Sequence, residues 1–408
     1  MQFRFLLLGQ AFVFVARQFT VVAIPYEVFL LTGSSLAVGL TGLAQLVPLV
    51  ITSFYAGAVV DSRDRRHVLL AAQVLMAATI AVLLATSLRG HPPLWILYLM
   101  AGASGVAIAL DRPARQSSIP RLLSRAQVPA AMSMQQVVFQ SALVVGPIVA
   151  GAALASTGAA TAYGVALVLA LAGVTTGWAM APLPPAAAGS RVDWKAPVAG
   201  LAYVRRKPLL LSIFAADLDA MVFGMPRALF PAIALTHFGV GAAGLGVLYA
   251  GPGIGALLGS LLSGWVATVS YQGRLVLVSI GVWGLAITLF GLVPWYWVGV
   301  VMLAAAGAAD MLSAVFRNTI NQLSVPDTFR GRVSSLDTMV VQGGPALGDL
   351  EAGAVSAVSS AQFSVVSGGL ACVVGITVLG LVFPALRRYR HTPYGAQATH
   401  IQEEPLPI

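Results

Sequence analysis

The chain of 408 residues has little charge: only 9% of its residues are Asp, Glu, Lys or Arg, whereas 58% are apolar. A soluble protein of this length could not bury so large an apolar share, because single cores stop growing at about 250–300 residues. Apolar runs of about 20 residues, long enough to span a hydrocarbon layer about 30 Å thick, recur along the whole chain. The composition therefore predicts an all-α membrane protein with many spans.

Cysteine is almost absent. Cys372 is the single cysteine, which excludes an internal disulfide and a zinc site built from several thiolates. The five histidines are scattered along the chain without the spacing of metal ligands. We therefore expect no metal site and no other cofactor.

Motifs of nucleotide-driven and catalytic chemistry are missing as well. The chain has no G-x-x-x-x-G-K-[ST] phosphate loop, which argues against direct use of ATP. Gly253-Ile-Gly255 resembles part of a dinucleotide-binding loop, but Leu258 occupies the third glycine position. A helix face of small residues explains this stretch better. No nucleophilic serine elbow or paired-carboxylate pattern stands out, so the chain is not expected to be an enzyme.

The apolar runs between polar, Gly or Pro breaks predict twelve spans in two sets of six. The first set covers residues 5–31, 36–60, 68–88, 93–112, 131–154 and 160–181. The second set covers residues 208–236, 243–267, 274–293, 295–316, 333–357 and 361–386. The N-terminus lacks the features of a removable signal peptide, so the first run is interpreted as a retained span.

The net charge of +9 is explained by where the basic residues lie relative to the predicted spans. If both termini are cytoplasmic, 20 of the 23 Lys and Arg residues lie on the cytoplasmic side, among them Arg115 and Arg317. Only Arg89 is then external, while Arg17 and Arg227 lie inside spans. This bias follows the positive-inside rule and predicts a multi-pass protein of the inner membrane. It also explains the basic charge without nucleic-acid binding.

The two sets of spans are related by an internal repeat. A shift of 202 residues places Arg115 on Arg317 and Gly151 on Gly353. Two homologous six-helix bundles around a central cavity are an architecture for alternating access. The predicted domains are an N-terminal bundle (1–181), a cytoplasmic linker with a short amphipathic helix (182–207), a C-terminal bundle (208–386) and a cytoplasmic tail (387–408).

The loop after the second span concentrates charge. The stretch GAVVDSRDRR begins at Gly57, and five of its last six residues, from Asp61 onward, are charged. It resembles the signature loop of the major facilitator superfamily, with Asp64 in place of the usual central glycine. The resemblance implies a cytoplasmic latch of Gly57, Asp61 and Arg65. Alternatively, Asp61 only caps the third helix while the arginines enforce topology.

Three further stretches resemble one branch of this superfamily, which contains the enterobactin exporter and drug:proton antiporters. They are Asp111-Arg-Pro-Ala-Arg115-Gln in the fourth span, Phe223-Gly-Met-Pro-Arg227 in the seventh, and Leu386-Arg-Arg-Tyr-Arg390 after the last. The resemblance covers essentially the whole chain and implies the twelve-helix major facilitator fold.

The fifth span carries a smaller element of the same kind. Gly146, Pro147 and Gly151 approach the Gly-Pro-x-x-Gly-Gly pattern that is typical of antiporters. Ordinary packing of small residues explains them almost as well, because small side chains let helices approach closely in membranes.

Ionisable residues within spans are costly and are candidates for function. Eight fall there, and they are Arg17, Glu27, Asp217, Asp219, Arg227, Asp310, Asp349 and Glu351. With six acids against two bases, we expect some of the acids to bind protons reversibly. Ionised acids could also attract a cationic substrate, and several could form static pairs between helices. Asp111 and Asp337, near the cytoplasmic boundary, are expected to be solvated partners of basic residues.

Helical geometry narrows the set of proton carriers. Asp217 and Asp219 lie two residues apart, about 200° around a helix, as do Asp349 and Glu351, so only one member of each pair can line a cavity. We expect one acid from each pair to carry protons. The two arginines would tune these acids or meet anionic groups of the substrate.

Together these features predict a monomeric, proton-driven exporter of small amphipathic molecules, such as siderophores or drugs. Its partners would be the small-molecule substrate, protons and the lipid bilayer. A proton-coupled uptake symporter is the alternative within transport. A receptor or scaffold that does not transport is the alternative from another class, although it would not need a latch, a repeat or buried acids.

Overall fold

The computed structural model describes residues 2–90, 92–184 and 196–390. Residues 185–195 of the predicted linker and residues 391–408 of the predicted tail lie outside the described residues, so these two assignments stay predictions. The described part is helical and contains no strand.

Six long helices form the first half of the molecule. They are α1 (Gln2–Thr32), α2 (Ser35–Ser62), α3 (Arg65–Leu88), α4 (Leu94–Leu122), α5 (Val128–Thr157) and α6 (Ala159–Trp178). Their connections are short, so consecutive helices run in opposite directions. All six are long and apolar enough to cross a membrane.

The second half begins with a short helix, α7 (Ala196–Arg205), and a broken span. The broken span consists of α8 (Pro208–Phe223), a 3₁₀ turn (Arg227–Leu229), α9 (Phe230–Ala232) and a π turn (Ile233–His237). The following helices are α10 (Gly241–Leu261), α11 (Gln272–Leu292), α12 (Tyr296–Ser324), α13 (Asp327–Val358), α14 (Ala361–Val382) and α15 (Pro384–Arg388).

Eleven segments of the described chain have the length and hydropathy of a membrane span, against twelve predicted. The predicted span at 333–357 lies in α13, which is 32 residues long and contains both acids of the second predicted pair, Asp349 and Glu351. Because α13 packs between α2 of the first half and α8 and α14 of the second, protein covers much of its surface. We count it as the twelfth span, and its polar residues account for its lower hydropathy.

The arginine-rich loops share one end of the molecule, which we call the arginine-rich end. It contains the turn between α2 and α3, the turn between α4 and α5, and the turn between α12 and α13. The opposite end, the arginine-poor end, contains the turns at residues 33–34, 158, 239–240 and 359–360.

Two seams join the halves, one between α2 and α13 and the other between α5 and α10. In the first seam, a Cβ at Gly39 would overlap the carbonyl oxygen of Asp349. In the second, a Cβ at Gly246 would overlap the carbonyl oxygen of Pro147 and the backbone of Gly151. Both contacts lie toward the arginine-poor end, where small residues allow the backbones to approach closely.

The seams occupy equivalent positions of the repeat. A shift of 202 residues relates Pro147 to Asp349, and a shift of 207 relates Gly39 to Gly246. The chain therefore uses the same close backbone approach twice, with a proline in one seam and an aspartate in the other.

The seams lead to a prediction about stability. Gly246→Ala should lower the melting temperature of the purified protein in detergent by several degrees, because the added carbon has no room against Pro147 and Gly151. Gly164→Ala is the matched control, since a Cβ there meets nothing within 4 Å. Alanine is otherwise better than glycine in a helix by about 1 kcal/mol. Equal melting temperatures for Gly246→Ala and the wild type would show that the seam is not tightly packed.

Candidate functional site

The break in the seventh span creates a polar site at the first seam. Pro226 has no N–H to continue the helix, so the backbone around it needs other partners. The backbone N–H of Ala228 donates to Oδ1 of Asp349 at 2.9 Å, and Nη2 of Arg227 lies 3.8 Å from Oδ2 of the same carboxylate. The hydroxyl of Tyr249 donates to the Arg227 carbonyl at 3.2 Å. One carboxylate on α13 thus holds both the broken segment and its arginine.

This site borders a cavity of about 220 Å³ between the halves, which we call the seam cavity. Its walls come from α1, α2, α4, α10, α13 and the broken span. Arg17 of α1 lines it, and the Nε atom of Arg17 has no hydrogen-bond partner among the described residues. Neutral polar side chains complete the lining, and they are Thr20, Thr41, Gln45, Ser104 and Tyr249.

A larger cavity of about 470 Å³ is lined by α1, α3, α4 and α5 of the first half and by Val341 of α13 in the second, and we call it the first-half cavity because most of its wall comes from that half. Arg17 and Val341 line both cavities. The α1 residues that face the larger cavity continue, at helical spacing, into those that face the seam cavity. The two cavities are therefore successive sections of one path along α1, with Arg17 at their junction.

The first-half cavity is rich in amide side chains, which are not ionisable and were therefore not among the predicted site residues. Its polar lining comprises Gln10, Arg17, Asp111, Arg112, Gln116, Gln135 and Gln136. Glutamines within apolar runs, such as Gln10, were the available signal, because an amide in a membrane interior also needs a hydrogen-bond partner.

Arg317 is buried in the second half and contacts two carboxylates from different helices. Its Nη1 atom lies 2.9 Å from Oδ1 of Asp217 on α8, and its Nη2 atom lies 3.9 Å from Oδ1 of Asp310 on α12. The predicted tenth span ended at residue 316, one residue before Arg317, and this boundary was too early. The helix α12 continues to Ser324, about two turns beyond Arg317, so the side chain faces the interior with 6% exposure.

Arg115, the repeat equivalent of Arg317, is buried as well. It bonds Asp111 on the same helix through Nε at 3.0 Å and Nη2 at 2.5 Å, and Nη1 donates to the Leu6 carbonyl at 3.0 Å. The prediction of a solvated Asp111 was therefore wrong, since Asp111 and Arg115 are 7% and 3% exposed. The sequence count of two bases within spans was too low, because Arg115 and Arg317 also lie inside long helices and are buried.

Glu27 lies outside the linings of both cavities. Its Oε2 accepts a hydrogen bond from the hydroxyl of Tyr163 at 2.5 Å, and its Oε1 accepts one from Oγ of Ser87 at 3.1 Å. These contacts join α1 to α6 and α3. Glu27 therefore belongs to the packing of the first half rather than to the predicted cavity.

Within each predicted pair of acids, Asp217 with Asp219 and Asp349 with Glu351, the two side chains have different surroundings. The carboxylate of Asp219 faces α14, where a Cβ at Gly375 would overlap it, while Asp217 faces Arg317. Glu351 is half-buried on α13, away from the linings of both cavities. No group of three or more His, Cys, Asp or Glu in the described chain is placed to hold a metal ion.

The three predicted latch residues lie at the end of α2 and the start of α3. Gly57 lies near the end of α2, and a Cβ there would meet nothing within 4 Å, so no other helix packs closely on it in this conformation. Arg65 is buried at the start of α3 and donates to Oγ of Ser117 at 3.1 Å and to the Pro184 carbonyl at 3.2 Å. Asp61 is half-buried in the last turn of α2.

The cap of α3 is Asp64 rather than Asp61. Oδ1 of Asp64 accepts a hydrogen bond from the backbone N–H of Arg66 at 2.8 Å and another from that of Leu183 at 3.0 Å. The residue that departs from the superfamily pattern therefore starts the third helix and fixes the chain that leaves the first half.

The antiporter-type element serves two interfaces. Gly146 faces Gln18 of α1 within the first half, whereas Pro147 and Gly151 face Gly246 across the second seam. The small residues of α5 thus allow close packing on both sides of the helix.

Comparison with known proteins places the chain among membrane transporters. A family model described as "Transmembrane secretion effector" matches residues 2–401. The enterobactin exporter EntS of Shigella boydii serotype 18 is 30% identical over 376 residues, which cover 91% of this chain and 89% of that protein. The enterobactin exporter EntS of Escherichia coli O1:K1 shows the same identity and coverage.

Solved structures show the same architecture. The nucleoside transporter NupG aligns with a TM-score of 0.74 at 15% identity, covering 95% of this chain and 100% of that chain. An inward-facing, unoccupied bacterial homolog of the human lysosomal transporter Spinster aligns with a TM-score of 0.70 at 15% identity, covering 100% of this chain and 98% of that one. These likenesses confirm the predicted major facilitator fold.

Arg317, Asp217 and Asp310 form what we call the Arg317 cluster. A set of variants can test whether Arg317 stabilises this cluster through its charge or through its packing. Arg317→Met should destabilise the protein by about 3–5 kcal/mol, because it leaves the buried carboxylate of Asp217 and the half-buried carboxylate of Asp310 without their cation. Adding Asp217→Asn and Asp310→Asn to this variant should restore much of the loss. Melting temperatures in detergent measure both effects. Wild-type stability of Arg317→Met, or no rescue by the two amides, would contradict the charge balance described above.

Proposed function

Because this chain belongs to the transmembrane secretion effector family, we propose that it exports small amphipathic molecules in exchange for protons by alternating access. The observation that carries proton coupling is the sharing of Arg317 between Asp217 and Asp310. The exporter assignment rests on the family and on the relatives that are named as enterobactin exporters.

Charge balance supports a proton site at this cluster. One guanidinium compensates one carboxylate, and a second ionised carboxylate in a membrane interior would remain costly. Asp217 and Asp310 would therefore share one exchangeable proton. Arg115 provides an internal contrast, because it holds a single carboxylate through two bonds and has no charge left to balance.

The position of Asp310 would couple this proton to the seam. Asp310 and Arg227 line the same small cleft, of about 30 Å³, and Arg227 pairs with Asp349 at the first seam. A change of charge at Asp310 would therefore act on the arginine that faces the seam cavity. Coupling between sites needs such a contiguous set of groups with more than one arrangement.

The arginine-rich end is proposed to be cytoplasmic, with both termini on that side of the inner membrane, in agreement with the positive-inside rule. The close seams at the arginine-poor end then support a state that receives substrate from the cytoplasm. Gly57, Asp61 and Arg65 would close the cytoplasmic end in the opposite state, and Gly57 is exposed here, with nothing among the described residues within 4 Å of a Cβ built on it. The exporter would act as a monomer.

Transport in liposomes tests this proposal. The purified protein is reconstituted with a pH-sensitive dye inside, a pH gradient is imposed, and enterobactin, a macrolide and a lipophilic cation are added in turn. We expect proton flux that depends on one of these compounds and runs against its movement. Asp310→Asn and Asp217→Asn should abolish that flux, because the shared proton site is lost.

Glu27→Gln is the matched control, since this acid lies outside the cavity linings and an amide oxygen still accepts from Tyr163. It should retain the flux. Transport of a compound without proton movement would refute the coupling, and movement of proton and compound in the same direction would indicate symport instead.

A further inference from the structure

We propose that the first-half cavity binds an aromatic molecule that carries one negative charge and an amide or hydroxyl group. Arg17 would bind the anionic group, and Gln10 and Gln135 would bind the polar group. The inference rests on the proposed function, because it names the chemical class that the exporter carries.

The charge of the cavity selects an anion. Its lining contains two arginines, Arg17 and Arg112, and one carboxylate, Asp111. That carboxylate is already bonded by Arg115 through two nitrogen atoms. Within the described chain, neither Arg17 nor Arg112 has a carboxylate within 4 Å, so the lining keeps an excess of positive charge.

Arg17 is also subject to repulsion from other cations. Arg227 and Arg112 lie close enough to repel it, while Asp111, which Arg115 already holds, attracts it. A bound anion would relieve this repulsion, whereas a bound cation would add to it. Charge-assisted bonds from a guanidinium to a carboxylate are among the strong hydrogen bonds in proteins.

Unpartnered polar atoms indicate where the ligand would bond. Gln10 is 4% exposed, and its Oε1 has no hydrogen-bond partner among the described residues, although its Nε2 donates to the Gln135 carbonyl at 3.3 Å. Gln135 is 9% exposed, and its Nε2 has no partner either, like the Nε of Arg17. Leaving a buried polar group unpaired costs about 1–3 kcal/mol. A ligand that offers a donor beside an acceptor, as an amide does, would satisfy these atoms.

The remaining wall suits an aromatic ring. Phe14 and Phe139 meet edge to face with centroids 5.5 Å apart, and Met76 and Met132 lie in the same lining. Rings and thioethers pack favourably on aromatic groups. The volume of about 470 Å³ falls in the range of about 300–1,000 Å³ that is usual for small-molecule sites.

Equilibrium binding to the full-length protein in lipid nanodiscs tests the inference with three matched probes. The probes share a benzamide body and differ in charge: N-benzoylglycine is anionic, N-benzoylglycinamide is neutral, and N-(2-aminoethyl)benzamide is cationic. Titration calorimetry without a pH gradient measures the affinity of each. We expect the anion to bind at least about tenfold more tightly than the neutral probe, which corresponds to about 1.4 kcal/mol, and the cation to bind most weakly.

Variants assign the preference to the cavity. Arg17→Gln should remove the preference for the anion, and Arg17→Lys should retain part of it, because the lysine keeps the charge but loses the fork of donors. Arg125→Gln is the control, since Arg125 is exposed in the turn after α4 and lies outside both cavity linings. It should bind all three probes as the wild type does.

Three results would overturn the inference: equal or tighter binding of the cation, an unchanged preference in folded Arg17→Gln, or no binding of any probe at millimolar concentration. None of them bears on proton coupling, because binding is measured without a gradient. Proton-driven export of a lipophilic cation in liposomes would support the proposed function and refute this inference. Anion binding without proton flux would do the reverse.

Discussion

The bond between Asp349 and the backbone of the broken span is the contact on which the rest of the arrangement depends. A membrane interior offers no water to unpaired backbone groups, so an interrupted helix persists only where protein supplies partners. Asp349 supplies one to Ala228 and also pairs with Arg227. Its own backbone packs against Gly39 of α2. The interruption, the seam and the seam cavity therefore meet at one residue.

Around this contact, the two halves share a plan but differ in chemistry. Arg115 and Arg317 occupy equivalent buried positions, and each has a carboxylate on its own helix, but Arg317 also contacts a second one, Asp217 of α8. The first half places neutral amides along its cavity, whereas the second places acids between its helices. In the proposed mechanism, the duplicated scaffold would thus bind the ligand in one half and the exchangeable proton in the other.

Much of the fold could be predicted from the sequence, because apolar runs and arginine positions report directly on spans. Hydropathy ended the fourth and tenth spans too early, since it treats an arginine as the edge of a helix. The spacing of four residues between Asp111 and Arg115 is a helical signal that could have corrected the first case. Aspartate is also a preferred helix cap, so Asp64 could have been predicted to start α3.

Other features depend on tertiary packing and had no local signal. The approach of Asp217 to Arg317 joins helices that are a hundred residues apart in the chain. The unpartnered atoms of Gln10 and Gln135 become evident only when four helices enclose them. The sequence therefore predicted which kinds of residue form the site, but not which of them contact one another.

The difference between proline and aspartate at equivalent seam positions has a mechanical consequence. The described contacts of Gly246 with Pro147 and Gly151 contain no ionisable side chain, so neither protons nor charged ligands act on them directly. The contact between α2 and α13 contains the carboxylate of Asp349, which in the proposed mechanism would respond to both. Rotation of one half against the other would therefore be controlled at one seam only. The α5–α10 contact would act as the pivot and stay unchanged, whereas binding of a proton or a charged ligand would alter the α2–α13 contact.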